Sequence, residues 1–329
     1  MHVEGSTEKK VGMGLVVGEK RRSTVWRYWA SVLKWYFFPE EGWPPYWWHR
    51  RPRALRVPAW YRDSASLLRH LRITIVTPSY NQARFLESTL RSVLEQEYPH
   101  LEYIVQDGAS TDGSVEILSR YQDNFAYVDS RPDRGQAHAL NRGFAHSTGE
   151  IMAYLNADDL LLPGALHYVA AFFQQHPEVD VVYGHRVVID EQGREIGRWV
   201  LPPHDAQVIY WVDYIPQETM FWRRRIWERV GGGFDETLQF AIDWDLILRF
   251  AQVGAQMARL PRFLGAFRVH TAQKTSAQWK TLGRQEVNEL RRRYLRREVT
   301  VREVERAIRP YLRRAFWYYV GYRLGMMRY

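Results

Sequence analysis

The 329-residue chain contains no cysteine. That removes disulfides, thiolate metal sites and cysteine nucleophiles, and it favours a reducing compartment. Long apolar runs are missing too, since no stretch approaches the ~18 uninterrupted apolar residues of a spanning helix. Residues Met1 to Lys20 carry charges throughout and lack the apolar core of a signal peptide, so a cytoplasmic protein is expected. Neither an internal repeat nor a low-complexity tract is present. Glycines 12, 14 and 18 have neither the strand–helix framing nor the spacing of a dinucleotide fingerprint, which argues against a dehydrogenase.

Aromatic residues, in contrast, are abundant at 15% with 14 Trp, which suits either stacking on sugar C–H faces or a wet membrane boundary. The formal net charge of +9 favours an anionic partner, whether nucleic acid, anionic lipid or nucleotide diphosphate.

Three textures divide the chain. Residues 1–70 are irregular and rich in Trp, Arg and Pro; 71–275 alternate short β-branched runs with amphipathic helical patterns; 276–329 form a basic, aromatic, helical tail. In the middle region the spacing predicts strands over Ile73–Val76, Tyr103–Val105, Phe125–Val128 and Ile151–Leu155, separated by helices. Such alternation implies βαβ units, a mostly parallel sheet flanked by helices, and a ligand beyond the carboxyl ends of the strands. A hairpin over residues 187–198 is expected to be an inserted, acceptor-side element.

The polar clusters fall at those strand ends. Thr77-Pro78-Ser79-Tyr80-Asn81 follows the first strand and Asp107-Gly108-Ala109-Ser110-Thr111-Asp112-Gly113 the second. A carboxylate such as Asp107 can accept the imide N–H of uracil or thymine, and Asp112 can cap the next helix; ordinary capping turns are the bland alternative. A basic, glycine-bearing helix start lies at Asp133-Arg134-Gly135-Gln136, a setting that favours an anion. After the fourth strand, Asn156-Ala157-Asp158-Asp159 places acids where they repel unless a cation such as Mg²⁺ or Mn²⁺ lies between them. Asp243, at the start of a helix, is either an N-cap or a general base. His270 and Lys274 follow the last strand, within reach of a metal and a diphosphate.

Taken together, these segments and their order, with Gly232-Gly233-Phe234-Asp235-Glu236 and Arg268-Val269-His270, resemble the family 2 glycosyltransferases of the Rossmann-like GT-A fold over residues 71 to 275. The resemblance implies that Pro78, Ser79 and Tyr80 contact the nucleotide and that Asp107 reads the base. It also puts Asp133 and Gln136 near the nucleoside and diphosphate, and Asn156 and Ala157 beside the metal-binding Asp158. Asp243 would be the catalytic base, with His270 on the metal and Lys274 on the diphosphate. The implied reaction moves a sugar from a nucleotide-sugar, UDP first and dTDP or GDP next, onto an acceptor hydroxyl with inversion, assisted by Mn²⁺ or Mg²⁺. Three positions depart from the family pattern: Asn156 replaces the usual first aspartate of Asp-x-Asp, Gln106 replaces an acid, and His138 lies in a segment that is often acidic.

The Arg–aromatic flanks suit an interfacial position on an anionic membrane, with a lipid-linked or surface-glycan acceptor, or else simply pack on the catalytic region. A nucleic-acid-binding protein would leave the strand-end carboxylates unexplained, because they repel phosphate. An inactive sugar-nucleotide scaffold remains a rival that only an assay separates.

Overall fold

A computed structural model describes residues 51–62, 71–271 and 282–329. The first predicted strand is β1 (Ile73–Ser79), whose alternation of fully buried apolar side chains runs straight into its polar end. Helix α1 (Ala83–Leu94) lays Phe85, Leu86, Leu90 and Val93 on the sheet. It is followed by β2 (Leu101–Asp107), α2 (Ser114–Arg120), β3 (Tyr127–Ser130), α3 (Gln136–Ala145) and β4 (Ile151–Tyr154). These four strands lie in the order β3-β2-β1-β4 and are all parallel. The core between them and the helices holds Ile73, Ile75, Leu86, Leu90, Tyr103 and Val105.

The second half continues the same sheet with antiparallel partners. Strands β5 (Leu160–Leu161), β6 (Val181–Ile189), β7 (Glu195–Trp199), β8 (Phe221–Arg223) and β9 (Met257–Arg268) complete the order β4-β8-β6-β9-β5, with β7 on β6. Helices α4 (Ala165–Gln175), α5 (Arg224–Arg229) and α6 (Ile242–Gln252) intervene. The expected hairpin exists as β6–β7, but β6 is no insertion. It runs parallel to β9 deep in the main sheet, and all nine of its residues are buried. The sequence showed only the polar turn at Asp190–Gly193, whereas long-range pairing decides where a hairpin belongs.

The described part of the N-terminal region, residues 51–62, crosses the sheet: Arg53 and Glu195 exchange backbone hydrogen bonds of 3.0 and 2.7 Å, and Tyr61 is fully buried among Leu162, Val187 and Phe263. The tail forms α7 (Arg284–Leu295) and α8 (Val301–Arg323). A capping box at Thr300 and Glu303 starts α8, satisfying otherwise orphaned amides of its first turn. Both helices pack on the sheet-bearing region: the Arg291 guanidinium donates to Trp211 O at 2.8 Å, the Tyr311 and Tyr214 rings lie tilted with centroids 4.5 Å apart, and Arg314 pairs with Asp205. Trp222 is fully buried in the core.

Candidate active site

The register sets Ser79, Asp107 and Ser130 side by side at the ends of β1, β2 and β3. Asp107 is 1% exposed and accepts from Ser110 N–H at 2.8 Å, Ser110 Oγ at 2.6 Å and Ser130 Oγ at 2.7 Å. Its carboxylate is thus covered by the chain's own donors and fixes the shape of the turn. Asp112 ties two helix starts together, accepting from Ala83 N–H at 2.9 Å and from both the Ser114 amide and hydroxyl. The left-handed Asn81 closes the gap by accepting from Thr111 N–H at 2.9 Å.

Tyr80 stands out of this turn, 62% exposed. Gly108 faces both Tyr80 and Asp133, and a Cβ there would lie 2.9 Å from Asp133 Oδ2 and 3.1 Å from the Tyr80 ring. Close approach therefore demands glycine and joins three motif segments that are far apart in sequence. Asp133 accepts from Gly135 N–H at 2.7 Å, and Gly135, at φ 113°, turns the chain into α3. Ser79 Oγ is buried and has no partner among the described residues.

At the end of β4 a side-chain relay connects the halves of the sheet. Gln136 Nε2 donates to Asn156 Oδ1 at 2.7 Å, Asn156 Nδ2 to Gln217 Oε1 at 3.1 Å, and Gln217 Nε2 to Tyr154 O at 2.7 Å. Asn156, the departure from the family pattern, serves as donor and acceptor at once, which an aspartate could not do. The turn that carries Ala157 and Asp158 is pinned from below by Thr89 Oγ1, 2.9 Å from Ala157 O and 2.8 Å from Asp159 O. Asp158 Oδ2 lies 2.9 Å from His270 Nε2, so these two predicted ligands meet. Among the described residues no group of three or more His, Asp or Glu could hold a metal ion. One carboxylate and one imidazole suffice for an ion that also takes diphosphate oxygens, and in that sense the pair fits. Lys274 lies outside the described residues.

Beyond Asp158 the site becomes acidic and buried. Asp159 is 1% exposed and accepts from Arg268 N–H at 2.9 Å; burial, then the charges of Asp158 and Glu218, push its carboxyl far above the usual range. Glu218 and Arg186 form a buried two-point ion pair at 2.7 and 2.5 Å, and the Arg186 guanidinium also lies 4.3 Å from the Phe267 ring centroid. Asp243 keeps partial solvent contact at the head of α6, where Trp244 N–H donates to it at 2.9 Å. Burial raises its pKa to about 6, and Glu218 adds to that rise. Asp213, also partly exposed, is pushed far higher by burial and by the charge of Asp243. The phenol of Tyr154, the last residue of β4, is pushed far above its usual range by burial and then by the charges of Asp243, Asp213, Asp159 and Glu218.

The sequence pointed to none of Thr89, Arg186, Asp213, Gln217 and Glu218. Their local context is unremarkable, and only the tertiary fold brings Gln217 to the end of β4 and Thr89 beneath residues 157 and 159.

A family model described as glycosyl transferase family 2 matches residues 74–249. The O-antigen biosynthesis protein RfbC of Myxococcus xanthus is 30% identical over 224 residues, 66% of this chain and 17% of that protein. The chain spans less than half the length of the first curated relatives it matches, from 17% to 48%. Among solved structures, S. aureus TarS 1-349 in complex with UDP-GlcNAc superposes with a TM-score of 0.59 at 19% identity, over 75% of this chain and 73% of that one. The mannosyltransferase PcManGT from Pyrobaculum calidifontis, in complex with GDP-Man and Mn²⁺, gives 0.55 at 22% identity, over 90% and 80%. At these identities the structural likeness establishes the shared fold.

Proposed function

Because the chain belongs to glycosyl transferase family 2, we propose that it transfers a sugar from a nucleotide-sugar to an acceptor hydroxyl, with Asp243 as general base and with inversion. The observation that carries this reading is the convergence at the β4 end. Donor-side groups reach it through Gln136, Asn156 and Gln217, and the charge of Asp243, whose pKa is about 6, acts on the side chain of Tyr154, the last residue of β4. A base with that pKa is unprotonated at neutral pH yet holds a proton well enough to take one from a hydroxyl.

The base of the donor would lie on Tyr80 against the turn that Asp107 holds, with Pro78, Ser79 and Asp133 around it and Gln136 and Ala157 toward the diphosphate. Asp158 and His270 would hold Mn²⁺ or Mg²⁺, and such an ion offsets negative charge on a leaving diphosphate. Lys274 is proposed to meet the same diphosphate. The setting of the second acid supports inversion. Asp213 Oδ1 accepts from Ile215 N–H at 3.2 Å, and burial, with the charge of Asp243, pushes its carboxyl well above the usual range, which disfavours it as a nucleophile. Asp243, raised to about 6, then acts as the base in the proposed single displacement.

The acceptor is proposed to be a lipid-linked or surface glycan, met at an anionic membrane. Arg302, Arg306, Arg309 and Arg313 form an exposed stripe along α8 that continues into Trp317, Leu324 and Met326, each about two-thirds exposed or more. Among the described residues no helix is long and apolar enough to cross a membrane. Flotation with phosphatidylserine vesicles at low salt checks the surface; protein left at the bottom of the gradient rejects it.

The first test is calorimetry with UDP, GDP and dTDP, each with Mn²⁺ and then with excess chelator. Tight binding of one nucleotide that weakens in chelator supports the donor site and names the base. Binding of none puts an inactive scaffold, or a site on another chain, ahead.

A further inference from the structure

Helix α7 touches the proposed base's own helix at three places. At its start the buried Glu286 carboxylate accepts from three consecutive backbone amides: Gln239 N–H to Oε1 at 2.8 Å, Phe240 N–H to Oε2 at 2.8 Å and Ala241 N–H to Oε2 at 2.9 Å. Those amides lead directly into α6 and end two residues before Asp243. In its middle the buried Arg291 guanidinium sits 5.7 Å from the Trp244 ring centroid while donating to Trp211 O, and burial lowers its pKa to about 10. Near its end Tyr294 OH donates to Asp245 Oδ1 at 2.8 Å. Gly283 completes the fit, since a Cβ there would lie 3.0 Å from the Phe240 ring.

We infer that Glu286 is a positioning residue for the general base: it fixes the backbone of residues 239–241 and thereby the place of Asp243 at the head of α6. This rests on the reading of Asp243 as the base. A carboxylate spread over three amides is strong, because each hydrogen bond is charge-assisted. It also puts negative charge near the start of α6, where the helix dipole favours it. No other side chain among the described residues bonds those three amides. Asp243 itself satisfies only the Trp244 amide, so the turn ahead of it depends on the tail. The basic tail is accordingly part of the catalytic region, and one acid within it does the holding.

The test compares the full chain with Glu286→Ala and Glu286→Gln, using Asp243→Asn as reference. Two readouts are taken on folded protein: amide hydrogen exchange at residues 239–241, and nucleoside diphosphate release from UDP-GlcNAc and GDP-mannose with Mn²⁺ across pH 5–8. Glu286→Ala should speed exchange at the three amides at least about tenfold. It should lower turnover about 10²-fold, the usual result of an ångström-scale misplacement, while nucleotide affinity stays within twofold. The acidic limb of the pH profile should move from about 6, because the surroundings of Asp243 change. Glu286→Gln retains one accepting oxygen and should fall between the two. Unchanged exchange in Glu286→Ala overturns the inference, as does a merely lower melting temperature with turnover and pH profile intact. If Asp243→Asn turns over normally, the assignment of the base has failed, and the exchange result still decides whether Glu286 holds the turn. Should wild type release no nucleotide from either donor, exchange alone decides.

Discussion

The two halves of this sheet treat their carboxylates in opposite ways. In the parallel half, Asp107, Asp112 and Glu102 are surrounded by donors. Burial raises Glu102, but hydrogen bonds from Thr148, Thr74 and Gly149 outweigh it and hold the carboxyl below its usual range; for Asp112 the bonds from Ser114 and Ala83 do the same. In the mixed half, the buried Asp159 and the partly exposed Asp213 and Asp243 have few donors and acidic neighbours, and all three are raised. Where a carboxylate is saturated it builds a turn, and where it is left short it is ready to take or keep a proton. In the proposed function the first half acts as a holder and the second as a reactor.

Removing the reactor's proposed base gives the largest expected effect. Asp243→Asn should lower transfer about 10³–10⁴-fold while leaving nucleotide affinity within a fewfold, measured by product release and calorimetry. Near-normal turnover in that variant would erase the contrast between the halves. Asp158→Ala should weaken Mn²⁺-dependent nucleotide binding about 10–100-fold and leave the binding seen in chelator untouched, by titration in both conditions. For the holder, Tyr80→Ala should weaken nucleotide binding by about 1–3 kcal/mol with or without metal, as expected for loss of a stacked base, and leave turnover at saturating donor unchanged.

The pH dependence separates the two classes of acid without mutation. With Asp243 at about 6, turnover at pH 5 should be about a tenth of that at pH 7, whereas an ordinary carboxylate would still be fully active there. Stability runs the other way. A carboxyl whose folded pKa is raised is more easily protonated in the folded state, so its ionised form weakens the fold above about pH 6, and that penalty fades as pH falls toward the unfolded value. Asp243→Asn should therefore melt higher than wild type at pH 8, by about 2 °C or more, and the gap should close by pH 4. Asp112→Asn should melt lower at pH 8, because it removes a carboxylate that the fold stabilises when charged.

What the sequence determined by itself is the holder. Each of its signals is local: an apolar run that ends in Thr77-Pro78-Ser79-Tyr80-Asn81, a glycine and aspartate turn at 107–113, a helix start at Gly135. Strand period, glycine freedom and capping chemistry act over a few residues, so a linear reading captures them and places Asp158, Asp243 and His270 at element ends. The meeting of Asp158 with His270, 112 positions apart, required the pairing of β5 with β9. Tertiary structure alone decided that β6 is a core strand, that Trp222 is buried, that Gln217 reaches the β4 end, and that Glu286 of the tail holds the turn before Asp243. Those facts depend on which distant segments share a dry interior. Desolvation, which raises Asp243, comes from the packed fold as a whole, so no short stretch of sequence encodes it.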